Sequence, residues 1–75
     1  KTILSKPLFR QVVLTDREKE ILLLICAELT MKEIGQRLFL SENTVRNHRV
    51  NIMEKIGVNN IVGLVKYAYE TGIVT

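Results

Sequence analysis

The sequence contains few of the residues on which many protein classes depend. Its 75 residues include one cysteine, one proline, one histidine, four glycines and no tryptophan. Because Cys26 is alone, no intramolecular disulfide or cysteine-rich zinc site can form. His48 is likewise alone and has no second histidine with which to bind a metal or build a catalytic pair. We therefore expect neither an enzyme nor a metalloprotein, and no cofactor.

Long apolar runs and targeting signals are also missing. No apolar segment approaches the roughly 20 residues of a membrane-spanning helix, and no signal-peptide pattern is present. A domain of 75 residues buries only about 60–65% of its unfolded surface, so a large substrate cavity would compete with its core. We expect a cytoplasmic domain that does not contact membranes.

The chain is mildly basic, with 11 Lys and Arg residues against 8 Asp and Glu residues and a net charge of +3. This charge is compatible with a polyanionic partner, but many proteins with similar charge bind no nucleic acid. Residues 1–13 include Pro7 and show no sustained hydrophobic period, which predicts a linker or N-terminal extension. Residues 14–75 form the predicted domain.

Two capping boxes predict where the first helices begin. Thr15 with Glu18, and Thr30 with Glu33, have the spacing at which hydroxyl and carboxylate each bond the other residue's backbone amide. Apolar residues follow at helical spacing. We expect a first helix over about 16–28, and a short second helix from Thr30 that stops near the end of the Arg37-Leu38-Phe39 segment.

A third helix is predicted over residues 41–56. Ser41 is its N-cap candidate, Glu42 suits the positive end of the helix dipole, and Gly57 suits the left-handed residue that ends a helix. Asn59 or Asn60 then caps a fourth helix that ends near the last glycine. Four caps without strand-like alternation predict an all-α, compact four-helix domain.

The third helix has two faces of different chemistry. Val45, Ile52 and Ile56 share an apolar face that we expect to be buried. Arg can bind guanine O6 and N7, Asn can bind adenine N6 and N7, and a helix fits the ~12 Å major groove. A solvated helix face is the alternative interpretation. The opposite face carries the candidate base-contacting residues Asn43, Arg46, Asn47 and Val50, together with Glu54.

Donor side chains flank this candidate face, where phosphates would run. They are Ser41, Thr44, His48, Arg49, Asn51 and Lys55. A short second helix, a turn over residues 39–41 and a longer third helix with a polar outer face form a helix-turn-helix. This context favours DNA binding over a merely solvated face.

Several segments, in the right order and spacing, resemble the LuxR/GerE-type DNA-binding domain. They are LTDRE (14–18), KEI (32–34), LSENTVRNH (40–48) and IMEKIGV (52–58). The resemblance covers about residues 14–74. It implies the effector domain of a transcription regulator, such as the output half of a NarL-like response regulator, with a receiver or sensor domain preceding it and RNA polymerase as a further partner.

The resemblance also implies roles for individual residues. The family's groove-facing positions fall on Arg46, Asn47 and Val50. Its phosphate contacts fall on Ser41, Thr44, His48 and Lys55, with Lys32 as a further candidate. Three departures stand out: Glu28 replaces a usual Gly, so we expect that turn to close differently. Gly35 replaces a usual Ala. Ile61 replaces a usual Arg, Ser or Thr, so the phosphate contact that the family makes there does not carry over to this chain as an expectation.

The fourth helix has a wider apolar arc than one core contact needs. Ile61, Leu64, Val65 and Ala68 form its expected core face. Because Gly63 has no side chain, it is expected to allow close approach of another backbone. The alternative to a dimer interface is that Val62 and Tyr69 cover the linker. Lys66 and Glu70 can pair across two antiparallel copies. We therefore predict a weak dimer interface of Val62, Gly63, Lys66 and Tyr69 on inverted DNA half-sites.

Together these features predict sequence-specific binding of double-stranded DNA, with residues 41–56 as the recognition helix in the major groove. The alternative is a helical protein–protein interaction module without DNA binding. Salt dependence separates the two, because several phosphate contacts make duplex affinity fall steeply with salt.

Overall fold

Four α-helices account for most of residues 12–74, the part of the chain that the computed structural model describes. They are α1 Asp16–Cys26, α2 Met31–Leu38, α3 Glu42–Ile56 and α4 Ile61–Glu70, and no strand occurs among these residues. α2 packs mainly on α3, while α1 lies against both α3 and α4. The predicted all-α fold with a helix-turn-helix is confirmed. Within this part of the chain, no helix has the length and apolar character needed to cross a membrane.

The predicted linker, residues 1–13, lies almost wholly outside the described residues. Val12 is partly buried against the core, whereas the Val13 side chain is 88% exposed. Leu14, at the predicted start of the domain, is buried. The boundary between linker and domain stays a prediction.

Both predicted capping boxes are present. The Glu18 amide donates to Thr15 Oγ1 at 3.1 Å, and the Thr15 amide donates to Glu18 Oε1 at 2.9 Å. Thr30 and Glu33 make the same reciprocal pair at 3.1 and 2.8 Å. Each pair satisfies two amides that a helix start leaves without backbone partners.

Single side chains cap the other two helices. Ser41 Oγ accepts from the Thr44 amide at 3.0 Å at the start of α3. Of the two candidates for α4, Asn60 is the cap, since its Oδ1 accepts from the Gly63 amide at 2.8 Å. α4 ends at Glu70, close to the predicted end.

The ends of α1 and α3 are both closed by left-handed residues. Gly57 has φ 90° and ends α3 as predicted. α1 ends at Cys26, before its predicted end, and Glu28 follows with φ 68°. The expectation that this turn closes differently from a glycine turn is wrong. Glu28 adopts the left-handed conformation that costs most residues roughly 1–2 kcal/mol, and Leu29 packs against the core beside it.

One face of α3 lies in the centre of the core. Val45 and Ile52 are fully buried, and Ile56 is 1% exposed. Ile21 and Ile25 of α1 and Ile34 of α2 are buried in the same core, whereas Leu38 is only partly buried at its edge. The buried core residues are Leu14, Ile21, Leu22, Ile25, Ile34, Val45, Ile52, Ile56, Leu64, Tyr67 and Ala68.

The expected core face of α4 needs correction. Leu64 and Ala68 are buried as predicted, but Ile61 is 40% exposed and Tyr67 is buried in the core. The buried arc is therefore centred on Leu64, Tyr67 and Ala68. Because a helix turns by about 100° per residue, Ile61 falls to one side of this arc.

Gly35 allows the turn of the helix-turn-helix to contact α2. The Leu40 amide donates to the Gly35 carbonyl at 2.8 Å. A Cβ atom on Gly35 would lie 2.5 Å from the Leu40 carbonyl oxygen. The atoms closest to this position therefore belong to the turn between α2 and α3. Phe39, with φ 60° and 95% exposure, is the left-handed residue of the turn.

A buried carboxylate connects α1 to the C-terminal end of α3. Glu18 is only 6% exposed, and Lys55 Nζ donates to its Oε1 at 2.7 Å. The same oxygen accepts the Thr15 amide. One side chain therefore closes the cap of α1 and holds the far end of α3.

The Glu18 carboxyl is stabilised in its charged form. Burial acts to raise its pKa, but hydrogen bonds from Lys55 and Thr15, together with the Lys55 charge, outweigh burial and hold the pKa below its usual value. A carboxyl whose pKa is lowered in the folded state stabilises the fold above its unfolded pKa. This contribution is lost as the pH falls through the folded pKa.

We predict that Ile52→Ala lowers the free energy of unfolding by about 2–5 kcal/mol, because the side chain is fully buried in the core. Val50→Ala is the matched control, since Val50 is 41% exposed on the other side of α3; its effect should stay within about 0.5 kcal/mol. Urea unfolding followed by circular dichroism measures both. Equal losses in the two variants would contradict the assignment of the faces.

We also predict that Glu18→Gln destabilises the fold by about 1–3 kcal/mol at neutral pH, because Lys55 loses its charged partner. The difference from wild type should shrink as the pH falls below about 4.3, the ordinary glutamate pKa, because Glu18 then becomes protonated in the unfolded chain before it does so in the folded state. Urea unfolding across a pH series tests this. Glu20→Gln is the control, because Glu20 forms an exposed ion pair with Arg17 at 3.4 Å. A loss independent of pH would contradict the assigned role.

Candidate nucleic-acid interface

The candidate base-contacting residues share one surface of α3. Asn43 and Asn47 are exposed, Val50 is 41% exposed, and Arg46 is half-buried. This surface lies opposite the fully buried side chains of Val45 and Ile52. The structure therefore brings the four predicted residues together on an accessible helix face.

The guanidinium of Arg46 is held by its own helix. Nη2 donates to Glu42 Oε2 at 2.8 Å, and Nη1 donates to Asn43 Oδ1 at 3.1 Å. The sequence pattern placed Glu42 only at the positive end of the helix dipole, and its contact with Arg46 was not predicted. The signal was present, since Glu followed by Arg four residues later is a favourable pair on a helix.

Two hydroxyls predicted to bind phosphate contact each other at the start of α3. Ser41 Oγ donates to Thr44 Oγ1 at 2.8 Å while accepting the Thr44 amide. Ser41 is exposed and Thr44 is half-buried. Lys32 and Asn51 are exposed, and His48 is half-buried.

Lys55 and Arg49 are also predicted to contact phosphate, and the sequence did not indicate their environments in the fold. Lys55 donates to the buried Glu18 carboxylate. Arg49 is half-buried, and its Nε is enclosed without a hydrogen-bond partner among the described residues. Both phosphate contacts stay predictions.

Arg49 lines an open groove of about 540 Å³ between the end of α1, the start of α2 and α4. Cys26, Met31 and Tyr69 are among the other lining residues. Burial raises the pKa of the Cys26 thiol, which disfavours the reactive thiolate. Among residues 12–74, no group of three or more His, Cys, Asp and Glu side chains is arranged to hold a metal ion.

The outward face of α4 carries the predicted dimer residues. Val62 is 76% exposed, Tyr69 is 54% exposed, and Lys66 is also exposed. Gly63 has a different neighbour from the one expected: a Cβ atom there would lie 2.9 Å from the Val58 Cβ of the same chain. Internal packing therefore accounts for this glycine without another backbone.

Comparison with known proteins identifies the family. The profile of the family described as bacterial regulatory proteins, luxR family, matches residues 12–68. The spore germination protein GerE of Bacillus subtilis is 52% identical over 54 residues, which cover 72% of this chain and 66% of GerE. The uncharacterized response regulatory protein YgeK of Escherichia coli K12 is 48% identical over 62 residues, or 83% of this chain and 42% of YgeK.

A solved structure agrees with these relatives. The response regulator ChrA of a heme-sensing two-component system matches with a TM-score of 0.77 and 37% identity, over 95% of this chain and 34% of ChrA. The chain thus spans less than half the length of YgeK and of ChrA. These relatives are regulatory proteins and not enzymes. The chain belongs to the luxR family of bacterial regulatory proteins, as a helix-turn-helix domain of the kind found in response regulators that control transcription.

Proposed function

We propose that this domain binds double-stranded DNA sequence-specifically, with α3 in the major groove, as the output domain of a two-component response regulator. The outward face of α3 carries the proposal, because Asn43, Arg46 and Asn47 lie opposite the buried Val45 and Ile52. Recognition helices contact bases through their N-terminal residues. The first two turns of α3 carry these forked side chains.

Base contacts are assigned to the four residues of this face. Arg46 suits guanine, and Asn43 and Asn47 suit adenine, since their donors and acceptors match the major-groove edges of these bases. Val50 offers an apolar surface, which suits the methyl group of thymine.

Phosphate contacts are assigned to residues around this face. Lys32, Ser41, Thr44, His48 and Asn51 all retain exposed or half-exposed surface. We assign phosphate contacts to two further residues that are also partly enclosed within the domain, Lys55 and Arg49. Lys55 has three N–H donors, of which the Glu18 contact uses one, and Arg49 acts through its terminal nitrogens.

We also propose that two copies pair weakly through α4 when they occupy inverted half-sites. Val62, Lys66 and Tyr69 supply an exposed mixed surface, with Gly63 at its edge. A stable interface buries ~800 Å² and involves about 20–30 residues per partner, whereas this surface is assigned only the four residues named above. The free domain is therefore a monomer, and two copies pair only when DNA holds them on neighbouring half-sites.

We also propose a context for this domain, which the chain's partial coverage of its relatives supports. We place a receiver or sensor domain in the rest of the protein, RNA polymerase among its partners and the protein in the cytoplasm. Selection from a pool of randomised duplexes, followed by titration of the best duplex at several salt concentrations, tests the central proposal. Several phosphate contacts should give a steep fall of log K with log salt. A protein-binding module would bind no duplex at any salt.

We predict that Arg46→Ala weakens binding to the selected duplex by about 1–3 kcal/mol and removes preference at one base position, because its fork reads one guanine. Arg17→Ala is the control, since it removes the same charge from α1. Titration of single-base variants of the selected duplex measures both. An unchanged ranking of those variants by the Arg46→Ala protein would contradict the base contact.

We predict that Val62→Glu leaves the fold and half-site binding intact but abolishes cooperativity on the full site, because it places a charge within the α4 surface. Val13→Glu is the control, as Val13 is also highly exposed but lies outside α4. Sedimentation and titrations of half and full sites measure the effect. Retained cooperativity would move the interface away from α4.

A further inference from the structure

Two neighbours hold the Arg46 guanidinium before any DNA is bound. Glu42 Oε2 accepts from Nη2 at 2.8 Å, and Asn43 Oδ1 accepts from Nη1 at 3.1 Å. The Arg46 and Glu42 side chains are 43% and 49% exposed. The cluster therefore lies at the accessible N-terminal end of α3, on the surface assigned to base contact.

The ion pair changes how Arg46 interacts with the DNA backbone. Nonspecific affinity comes from cationic side chains that neutralise phosphates and release counterions. Glu42 already neutralises this guanidinium and repels a phosphate that approaches it. A phosphate that contacts Arg46 also meets the negative charge of Glu42, so Arg46 contributes little to nonspecific binding.

A base contact does not carry the same penalty. A guanidinium has five N–H donors in a planar fork, and the two contacts within α3 use one each. The remaining donors can reach guanine O6 and N7 while Glu42 stays in place. Guanine edges are neutral acceptors, so the carboxylate repels them far less than it repels phosphates.

From this geometry we infer that Glu42 is a specificity-determining residue that acts through Arg46. It withholds the guanidinium from phosphates and thereby lowers the affinity for non-cognate DNA more than the affinity for the preferred sequence. This inference rests on the proposed function and names the residue that sets its specificity ratio.

Glu42→Gln tests the inference in the 75-residue chain. The probes are the duplex selected by the wild type and a scrambled duplex of the same composition. The specificity ratio is the affinity for the selected duplex divided by the affinity for the scrambled duplex. We expect it to fall by about two- to fivefold, the change in an equilibrium constant that corresponds to the free energy of one exposed ion pair. The salt slope on the scrambled duplex should steepen by about 0.9, because one more phosphate is neutralised.

Glu20→Gln is the matched control, because it removes the same charge from an exposed pair on α1. Its ratio and salt slope should stay at wild-type values. Circular dichroism melting should show all variants folded, since Glu42 and Glu20 both lie outside the core. If both glutamine variants shift the ratio equally, net charge explains the effect and the inference is wrong.

A double-mutant cycle with Arg46→Ala completes the test. Without the guanidinium, Glu42→Gln should no longer change the base preference or steepen the salt slope. A change that persists would show that Glu42 acts on DNA directly and would overturn the inference. A wild type that binds with sequence preference, beside a Glu42→Gln variant with an unchanged ratio, would overturn the inference alone. Absence of any duplex binding by the wild type would overturn the proposed function as well.

Discussion

The outward face of α3 depends on the burial of the opposite side of this helix. Val45 and Ile52 have no exposed surface, and Ile56 has almost none. Because a helix is rigid, burying one side determines which side chains point outward. The polar face of Asn43, Arg46 and Asn47 is thus a consequence of core packing. Because a chain of 75 residues forms only a small core, the residues that stabilise the fold are also those that orient this face.

Polar contacts then fix how α3 sits on the rest of the fold. Ser41 closes its first turn, and Lys55 near its last turn bonds the buried Glu18 of α1. The Glu18 carboxylate also accepts the Thr15 amide, so the start of α1 and the end of α3 share one charged group. Breaking this half-buried pair leaves a charge without its partner, which makes the position of α3 sensitive to Glu18.

Acidic residues have two distinct functions in this basic domain. Glu18 and Glu33 close helix starts, and Glu18 also anchors α3. Glu42 lies at the surface and holds Arg46. An acidic side chain on a DNA-facing helix lowers total affinity, yet it can raise discrimination when it acts on a base-reading arginine.

The sequence by itself determined the helices and their caps, because capping boxes and N-caps join residues three positions apart. It also determined the faces of α3, since a fixed helical period converts spacing into direction. Tertiary structure alone decided the Lys55–Glu18 bond, which spans 37 residues of sequence. It also decided the left-handed turn at Glu28 and the exposure of Ile61, because packing of neighbouring helices overrides local preference at such positions.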